Sequence, residues 1–387
     1  MYVFRQATVP FQVLQIFECR TESGSDQAEH SPHPTPLLEM TPSSIPEYGR
    51  FEDLAPAAGY FGLVDYADDS FQVNGWMLGP LTIELSRFTL YLNQKLVGLA
   101  EPQAASKDCD KVRHRGEPKL FHFQLPKRLE IPNFSRVEVL GWAEDRPLRR
   151  LTTLFRRDLN THVPTPPEKL RYRVTGNKDG RLVKEAGLRC TSNFLDAIGQ
   201  HRDLISMRSL LDWGCGCGRV TVHLMDLLSS FESLQIQGCD IDGEAIAWCN
   251  EYLRRGHFRQ VDSLPPLPWP EASFDVVVSC SVFTHLSEQM QQAWLHELRR
   301  VITPGGMFLA SINSNFPRSR VPPQGISDET LDPMMDGIAP AGYYRGTIQS
   351  REYTVSRWAN YFDILDFIEN GIEGSQDLVV MRKSHET

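Results

Sequence analysis

The stretch SLLDWGCGCGRV, residues 209–220, places three glycines directly after a short apolar run. Residues 210–213 have the length and hydrophobicity of a buried strand, and Val220, Leu224 and Leu227 then recur at helical spacing. Glycines between a strand and a helix let the backbone approach a ligand and leave amides free at the helix N-terminus. The stretch therefore predicts the first strand-to-helix turn of a βαβ unit, with a carboxylate or phosphate bound there.

Strand-like and helix-like segments alternate from about residue 170 onward. Strands are predicted at SLQIQGCDID (233–242), FDVVVSC (274–280) and PGGMFLASI (304–312), with helices between them. This alternation predicts an α/β fold with a Rossmann-like, doubly wound sheet. The last apolar runs, YFDILDFI (361–368) and QDLVVMR (376–382), predict an antiparallel terminal hairpin at one edge of the sheet.

The chain before this domain, which we assign to 166–387, has a different pattern. Residues 21–49 are rich in Pro and Ser, which indicates a linker within an N-terminal segment at 1–54. From 55 to 165 apolar residues alternate with polar ones, as in RFTLYL (87–92), which predicts an all-β sandwich accessory domain. Two roles are open for it: a structural module that forms a homodimer, or a module that binds a glycan or a partner.

The composition restricts the class of protein. The net charge of -9 argues against nucleic acid as the main partner. No apolar run approaches the roughly 20 residues that span a bilayer, and the N-terminus lacks the pattern of a signal peptide, so we expect a cytoplasmic protein without a membrane span. Most cysteines fall in predicted core elements without C-x-x-C spacing, so we expect buried thiols and no metal site.

An acidic residue ends the strand that follows the glycine turn. Asp240 lies 22 residues after Gly218, a position from which a carboxylate can accept hydrogen bonds from both hydroxyls of a ribose. Asp242 competes for this role, and we prefer Asp240 because it ends the strand. The ligand is therefore expected to contain a ribose.

These motifs together resemble those of the class I S-adenosylmethionine-dependent methyltransferases, over about residues 170–387. The resemblance is carried by LLDWGCGCGRV (210–220), GCDID (238–242), LPWPEASFDVVVS (267–279) and ELRRVITPGGMFLASI (297–312). The phrase SVFTHLSE (281–288), after the fourth strand, is most similar to bacterial members of that family. The resemblance implies S-adenosylmethionine as the cofactor.

The family pattern also implies roles for individual residues around the cofactor. Asp212 would act on the methionine ammonium, Asp240 on the ribose, and Asp262 on the adenine edge, although Asp262 also fits a solvated turn. Arg173 and Gly176 would form a lid over the methionine carboxylate. The complete predicted cofactor set is Arg173, Gly176, Asp212, Gly214, Cys215, Gly216, Gly218, Asp240, Ile241, Asp262, Ser263 and Ser279.

The acceptor side is predicted from His285 and from an insertion at 314–357. His285 follows the fourth strand, and its imidazole suits a general base near neutral pH, although roles in orienting the substrate or in structure stay open. The insertion is too long for a plain connection, so it is expected to form a lid on the substrate side. Its candidate substrate residues are Tyr343, Tyr344, Arg345 and Trp358, which would stack on a sugar or a peptide or pack the lid itself.

The leading hypothesis is a metal-independent methyltransferase that O-methylates a hydroxyl of a saccharide or natural product. Methyltransferases that act on amino groups of nucleobases and glutamine are associated with the tetrapeptide Asp/Asn-Pro-Pro-aromatic after the fourth strand. This chain has SCSV (279–282) there, which favours oxygen as the acceptor. A carboxylate methyltransferase acting on a peptide or small acid is the second hypothesis, and it would not need His285 as a base. The third is a non-catalytic scaffold that keeps the cofactor fold.

Overall fold

The computed structural model describes residues 59–65, 71–78, 84–93, 95–104, 118–125, 135–156, 158–314, 325–373 and 376–385. They fall into two units that divide between Phe155 and Arg156. The predicted N-terminal segment at 1–54 lies outside the described residues. Among the described helices, none combines the length and apolar character needed to cross a membrane.

The first unit contains eight described strands that pair into two antiparallel sheets of four. The strands are β1 (Gly59–Asp65), β2 (Phe71–Leu78), β3 (Arg87–Leu92), β4 (Lys95–Ala100), β5 (Gln103–Ala104), β6 (Pro118–Leu125), β7 (Ser135–Ala143) and β8 (Arg146–Phe155). One sheet has the order β1-β2-β6-β5 and the other β4-β3-β7-β8. The rings of Phe88 and Phe121, one from each sheet, lie 5.0 Å apart and join their inner faces.

The alternation in the sequence corresponds to burial in β6, whereas in β3 the intervening Thr89 and Tyr91 are buried as well. Phe121, Phe123 and Leu125 on β6 are buried, whereas His122 and Gln124 between them are exposed. In a sheet with one covered face, this period of two separates core side chains from solvent-facing ones. The pairing is what an all-β domain requires, and the role of this unit stays a prediction.

The second unit is built from helices on a seven-stranded sheet. The strands of this sheet are β9 (Ser209–Trp213), β10 (Gln235–Asp240), β11 (His257–Gln260), β12 (Phe274–Ser279), β13 (Ile302–Ile312), β16 (Asp363–Ile372) and β17 (Gln376–Arg382). The unit also contains a separate pair of strands, β14 (Ile326–Leu331) and β15 (Arg345–Gln349). Its helices are α1 (Leu159–His162), α2 (Glu168–Thr175), α3 (Gly180–His201), α4 (Thr221–Leu227), α5 (Gly243–Tyr252), α6 (Glu288–Val301) and α7 (Arg351–Trp358).

The order of the large sheet is β11-β10-β9-β12-β13-β17-β16. The first five strands run parallel, β17 is antiparallel to β13, and β16 is antiparallel to β17. The Rossmann-like sheet and its antiparallel terminal hairpin are therefore present as predicted. The chain order reverses between β9 and β12, and ligands of such sheets bind at the carboxyl ends of the strands beside this point.

The core under this point is aromatic. The Trp213 ring, at the end of β9, lies 4.9 Å from Trp294 of α6 and 5.5 Å from Phe283. Trp294, Leu298 and Val301 form the buried stripe of α6 that the helical spacing predicts. Ser287 accepts a hydrogen bond from the Met290 amide and starts this helix. The end of β9 is therefore packed against one aromatic core cluster that α6 and the segment after β12 form.

The second unit begins at Arg156 and not at residue 166. The Arg156 guanidinium lies 2.6 Å from both Asp158 and Asp226, and Asp226 belongs to α4. Leu159 and Val163 are also buried. Residues 156–165 carry too few apolar side chains for their pattern to show this attachment, which depends on an ion pair with a distant helix.

We predict that a fragment of residues 156–387 folds and binds the cofactor, and that a fragment of residues 169–387 is less stable. Loss of the buried Leu159 and Val163 side chains removes about 1.5–3 kcal/mol each. The shorter fragment should therefore have a free energy of unfolding lower by about 3 kcal/mol or more, measured by urea denaturation. An insoluble 156–387 fragment would show instead that the α/β unit needs the β-strand unit to fold.

Candidate active site

A cavity of about 370 Å³ lies at the carboxyl ends of β9, β10 and β12. Its volume is within the range of small-molecule sites. Twelve of the residues predicted from the sequence line it: Arg173, Gly176, Asp212, Gly214, Cys215, Gly216, Asp240, Ile241, Asp262, His285, Tyr343 and Tyr344. The fold thus brings both ends of the predicted site into one space.

The glycine turn forms the wall above β9. Gly214, Gly216 and Gly218 have φ angles of 78°, 53° and 72°, in the left-handed region that favours glycine. The amides of Gly214 and Cys215 donate to the Cys239 carbonyl at 2.8 and 3.0 Å, which fixes the turn against β10. Gly218 does not line the cavity. A Cβ there would lie 2.4 Å from Leu253, so this glycine serves packing.

Asp240 links the glycine turn to the end of β10. Its carboxylate accepts from the Gly216 amide at 2.7 Å and from the Asp242 amide at 2.9 Å. Asp242 instead caps α5 by accepting from Glu244 and Ala245. The side chain that ends the strand and borders the turn is therefore Asp240, the one preferred from the sequence for the ribose.

Arg173 also lines the cavity, and it forms ion pairs with two carboxylates at the start of α5. Its guanidinium lies 2.7 Å from Asp242 and 3.0 Å from Glu244. Two carboxylates therefore already compensate the charge of Arg173. Gly176 ends α2 with a φ of 68°, and its amide donates to the Tyr172 carbonyl. The predicted lid over the methionine carboxylate thus lines the cavity, but its arginine has acidic partners of its own.

Asp212 is a buried carboxylate with one side-chain partner. The Thr221 hydroxyl donates to it at 2.5 Å, and the side chain is almost fully buried. Burial raises the pKa of Asp212 from the ordinary 3.8 to about 6, against the opposing effects of Thr221 and Arg219. A cation in the cavity would favour its charged form, which fits a ligand with an ammonium group.

His285 lies at the other end of the cavity, in a short 3-10 helix at Phe283–His285. Its Nδ1 lies 3.1 Å from the Arg345 carbonyl oxygen. Because a carbonyl only accepts, Nδ1 carries the proton and Nε2 holds the free lone pair. Tyr344 stacks on the ring at 4.0 Å, and Asp332 lies 3.7 Å from Nδ1. Burial lowers the pKa of His285 below its usual 6.5, so the imidazole is neutral at pH 7.

The lid insertion contributes to this end of the site. Its described part contains the β14–β15 pair and the start of α7. Tyr343 accepts from the Trp294 indole at 3.2 Å, and Tyr343 and Tyr344 line the cavity beside Met334 and Met335. The insertion therefore lies on the side of His285, where an acceptor would lie.

Four more predicted residues lie outside the cavity. Trp358 is 1% exposed and packs on Phe283 at 4.7 Å, so it is a core residue and not a substrate contact. Arg345 donates from its side chain to the carbonyls of Gly342 and Asp328, and only its own carbonyl is turned to His285. Ser279 is buried within β12, and Ser263 also does not line the cavity.

The structure adds a polar patch that sequence reasoning missed, formed by Arg219, Cys280, Ser281, Glu373 and Gln376. Ser281 and Glu373 have φ angles of 62° and 57°, and such strain in residues other than glycine is concentrated at functional sites. Ser281 donates to Gln376 at 3.0 Å. The one feature of the sequence that could have indicated this patch is Arg219, a charged residue between the glycine turn and an apolar helix.

Comparison with known proteins gives a family for this region. The family described as "Methyltransferase domain" matches residues 210–306. A relative from Mycolicibacterium smegmatis, named "Probable S-adenosylmethionine-dependent methyltransferase", is 36% identical over 104 residues, which are 27% of this chain and 37% of that protein. The chain thus matches just over a third of that relative's length.

Two further relatives have lower identity. The tRNA N(3)-methylcytidine methyltransferase Mettl2 of Drosophila melanogaster is 24% identical over 227 residues, covering 53% of this chain and 68% of that protein. Among solved structures, a SAM-dependent methyltransferase from Methanosarcina mazei has 18% identity and a TM-score of 0.36, covering 49% of this chain and 97% of that one.

The fold is a Rossmann-like α/β domain with a cavity at its strand ends, and the matches support the class I S-adenosylmethionine-dependent methyltransferase family for it. S-adenosylmethionine is the cofactor, as the sequence predicted. The residues present fit it, since the cavity joins a buried carboxylate that needs a cation to a glycine turn and the strand-end Asp240. No group of three or more metal-ligating side chains occurs among the residues that the structure describes.

We predict that Asp212→Asn stabilises the free protein and weakens cofactor binding. Burial raises the pKa of Asp212 from 3.8 to about 6. Keeping this carboxylate charged at pH 7 therefore costs the folded protein roughly 3 kcal/mol, at 1.36 kcal/mol for each pKa unit. The variant should raise the free energy of unfolding by up to that amount, less at pH 5. Its affinity for S-adenosylhomocysteine should fall about tenfold or more as the charged partner of the ammonium is lost.

Urea denaturation and calorimetric titration at pH 5 and pH 7 measure both effects. For the unaltered protein, affinity should decrease below pH 6 as Asp212 is protonated, and the variant should lack this dependence. Asp363→Asn, at an exposed position of β16, is the control and should change neither quantity. A destabilised Asp212→Asn with unchanged affinity would remove Asp212 from the cofactor site.

Proposed function

We propose that this protein transfers the methyl group of S-adenosylmethionine to a hydroxyl group of a saccharide or natural product, with His285 as the general base. The observation that carries the proposal is the state of His285. Its Nδ1 donates to the Arg345 carbonyl, it is stacked on Tyr344, and it borders the cavity that also contains Asp212 and Asp240. Among the described residues, Nε2 has no hydrogen-bond partner.

When bound, the cofactor supplies a methyl group on a sulfonium sulfur, and the neutral thioether that remains after transfer is a good leaving group. The protein then has to hold the acceptor in line and remove its proton. Alignment alone contributes up to about 7–11 kcal/mol in intramolecular analogies. A neutral hydroxyl also needs a base, and Nε2 of a neutral His285 would accept its proton. Asp332, 3.7 Å from Nδ1, would stabilise the imidazolium that forms.

The lid residues suit a flat, partly apolar acceptor. Tyr343, Tyr344 and Met335 offer aromatic and thioether surface beside His285. Burial raises the pKa of both tyrosines, so they stay protonated and act as hydrogen-bond donors rather than as bases. Sugar rings and aromatic natural products both pack on such surfaces.

Two alternatives differ in the acceptor atom. A carboxylate is already ionised at pH 7 and would make His285 dispensable. The name of the Drosophila relative raises a tRNA base as a third acceptor, against which the net charge of -9 argues.

The test is a methyl-transfer assay with methyl-labelled S-adenosylmethionine against three acceptor classes: saccharides and phenolic or polyketide alcohols, small acids and peptides, and tRNA. Methyl ethers survive mild base, whereas methyl esters release volatile labelled methanol. We expect base-stable label in the hydroxyl class. Label that is released by base, or label found only in tRNA, would overturn the proposal. Bound cofactor without transfer to any class would favour the scaffold hypothesis.

We predict that His285→Ala lowers kcat at least 100-fold while the affinity for S-adenosylhomocysteine stays within about threefold, because general-base assistance contributes about 100- to 10,000-fold. His296→Ala, at an exposed position of α6, is the matched control and should retain full activity. Since burial lowers the pKa of His285 from 6.5, kcat at saturating cofactor should be flat from pH 7 to 8 and fall below pH 6.5.

Saturating cofactor separates this effect from the protonation of Asp212, which acts on affinity. A His285→Ala variant within tenfold of the unaltered protein, with the same pH profile, would remove His285 as the base. It would shift the assignment to a carboxylate acceptor.

A further inference from the structure

Arg219 is the charged side chain that the function above leaves unused. It follows the third glycine of the turn and lines the cavity, yet its side chain is only 7% exposed. Its backbone is held by α3. A Cβ at Gly187 would lie 2.0 Å from the Arg219 carbonyl oxygen, and the Thr191 hydroxyl donates to the neighbouring Val220 carbonyl at 3.1 Å. The backbone position from which the Arg219 side chain extends is therefore fixed.

The partners of this guanidinium are unusually weak. Its Nη2 donates to the Cys280 sulfur at 3.3 Å and its Nη1 to the Cys190 sulfur at 3.6 Å. The Glu373 carboxylate lies 3.8 Å away, beyond hydrogen-bond distance. Within the described part of the chain, no oxygen atom accepts a hydrogen bond from Arg219. Buried guanidinium groups normally bind oxygen acceptors because an unsatisfied buried charge is costly.

Glu373, at 3.8 Å from Arg219, lines the same cavity, and so does the buried carboxylate of Asp212, whose ionisation is favoured by the charge of Arg219. A buried anion and a buried cation that border one cavity match an α-amino acid, which carries an ammonium and a carboxylate on one carbon. Arg173, predicted from the sequence to cover the methionine carboxylate, is already paired with Asp242 and Glu244. The ion pair of Arg219 with Glu373 is longer, at 3.8 Å, and includes no hydrogen bond.

We propose that Arg219 binds the carboxylate of the cofactor's methionine portion, beside Asp212 at its ammonium. The inference rests on S-adenosylmethionine as the cofactor and is independent of the acceptor. Cys190 and Cys280 supply weak acceptors that keep the guanidinium in place without competing strongly for it. An oxygen anion in the cavity would replace these contacts by charge-assisted hydrogen bonds, which are stronger and bidentate in the best geometry.

The experiment compares two ligands that differ only in the carboxylate: S-adenosylhomocysteine and its decarboxylated analogue, S-adenosyl-3-thiopropylamine. Both are titrated calorimetrically into the full chain and into Arg219→Gln, Arg219→Lys and Arg173→Gln. We expect Arg219→Gln to lose at least tenfold in affinity for S-adenosylhomocysteine and less than threefold for the analogue. Arg219→Lys keeps a single charge and should lose less. Arg173→Gln should change the two affinities by the same factor.

Equal losses for both ligands in Arg219→Gln would overturn the proposal, because a structural role does not distinguish the carboxylate. Unchanged affinity for S-adenosylhomocysteine would also overturn it and move Arg219 to the acceptor. If Arg219→Gln fails to fold, Arg219→Lys decides in the same way, by whether its loss is confined to the ligand with the carboxylate. An unaltered protein that binds neither ligand would reject the cofactor itself, which separates that failure from this one.

Discussion

The site depends on one carboxylate and the two backbone amides that it joins. Asp240 accepts from Gly216 of the glycine turn and from Asp242 at the start of α5. Because these amides belong to segments that follow different strands, their common acceptor fixes the glycine turn after β9 against the segment that follows β10. The position of the turn over the strand ends decides how a ribose-containing ligand would lie across them. Burial raises the pKa of Asp240, so this link is made by a group that itself resists ionisation.

The cavity contains charges at a cost to the free protein. Asp212 is buried with its pKa raised, Arg219 contacts sulfur atoms in place of oxygen, and Ser281 and Glu373 have strained backbone angles. The two charged features are unfavourable without a ligand, and a ligand that carries both an ammonium and a carboxylate would relieve them. Such sites exchange stability for preorganisation, since the protein groups need little rearrangement when the ligand binds.

The lid and the proposed base are mechanically connected. The Arg345 carbonyl on β15 sets the tautomer of His285, and the Tyr344 ring stacks on the imidazole and fixes its orientation. Both belong to the insertion between β13 and α7. A change in lid sequence would therefore alter the acceptor surface and the orientation of Nε2 together. This connection is one physical route by which the same cofactor fold can be adapted to different acceptors.

The sequence by itself determined the α/β unit, its terminal hairpin, the glycine turn and the place of Asp240 at the end of a strand. These follow from local signals, because hydrophobic period, glycine spacing and strand ends are properties of neighbouring residues. Trp358 shows the limit of such signals, because the sequence pattern of an aromatic residue in a helix is the same whether the side chain faces a ligand or the core. Only its packing on Phe283 in the structure showed that Trp358 belongs to the core. Arg173 and Arg219 likewise have equal charge in the sequence. Their difference arises from partners far along the chain, Asp242 for one and Cys190 and Cys280 for the other, so only the tertiary structure could assign it.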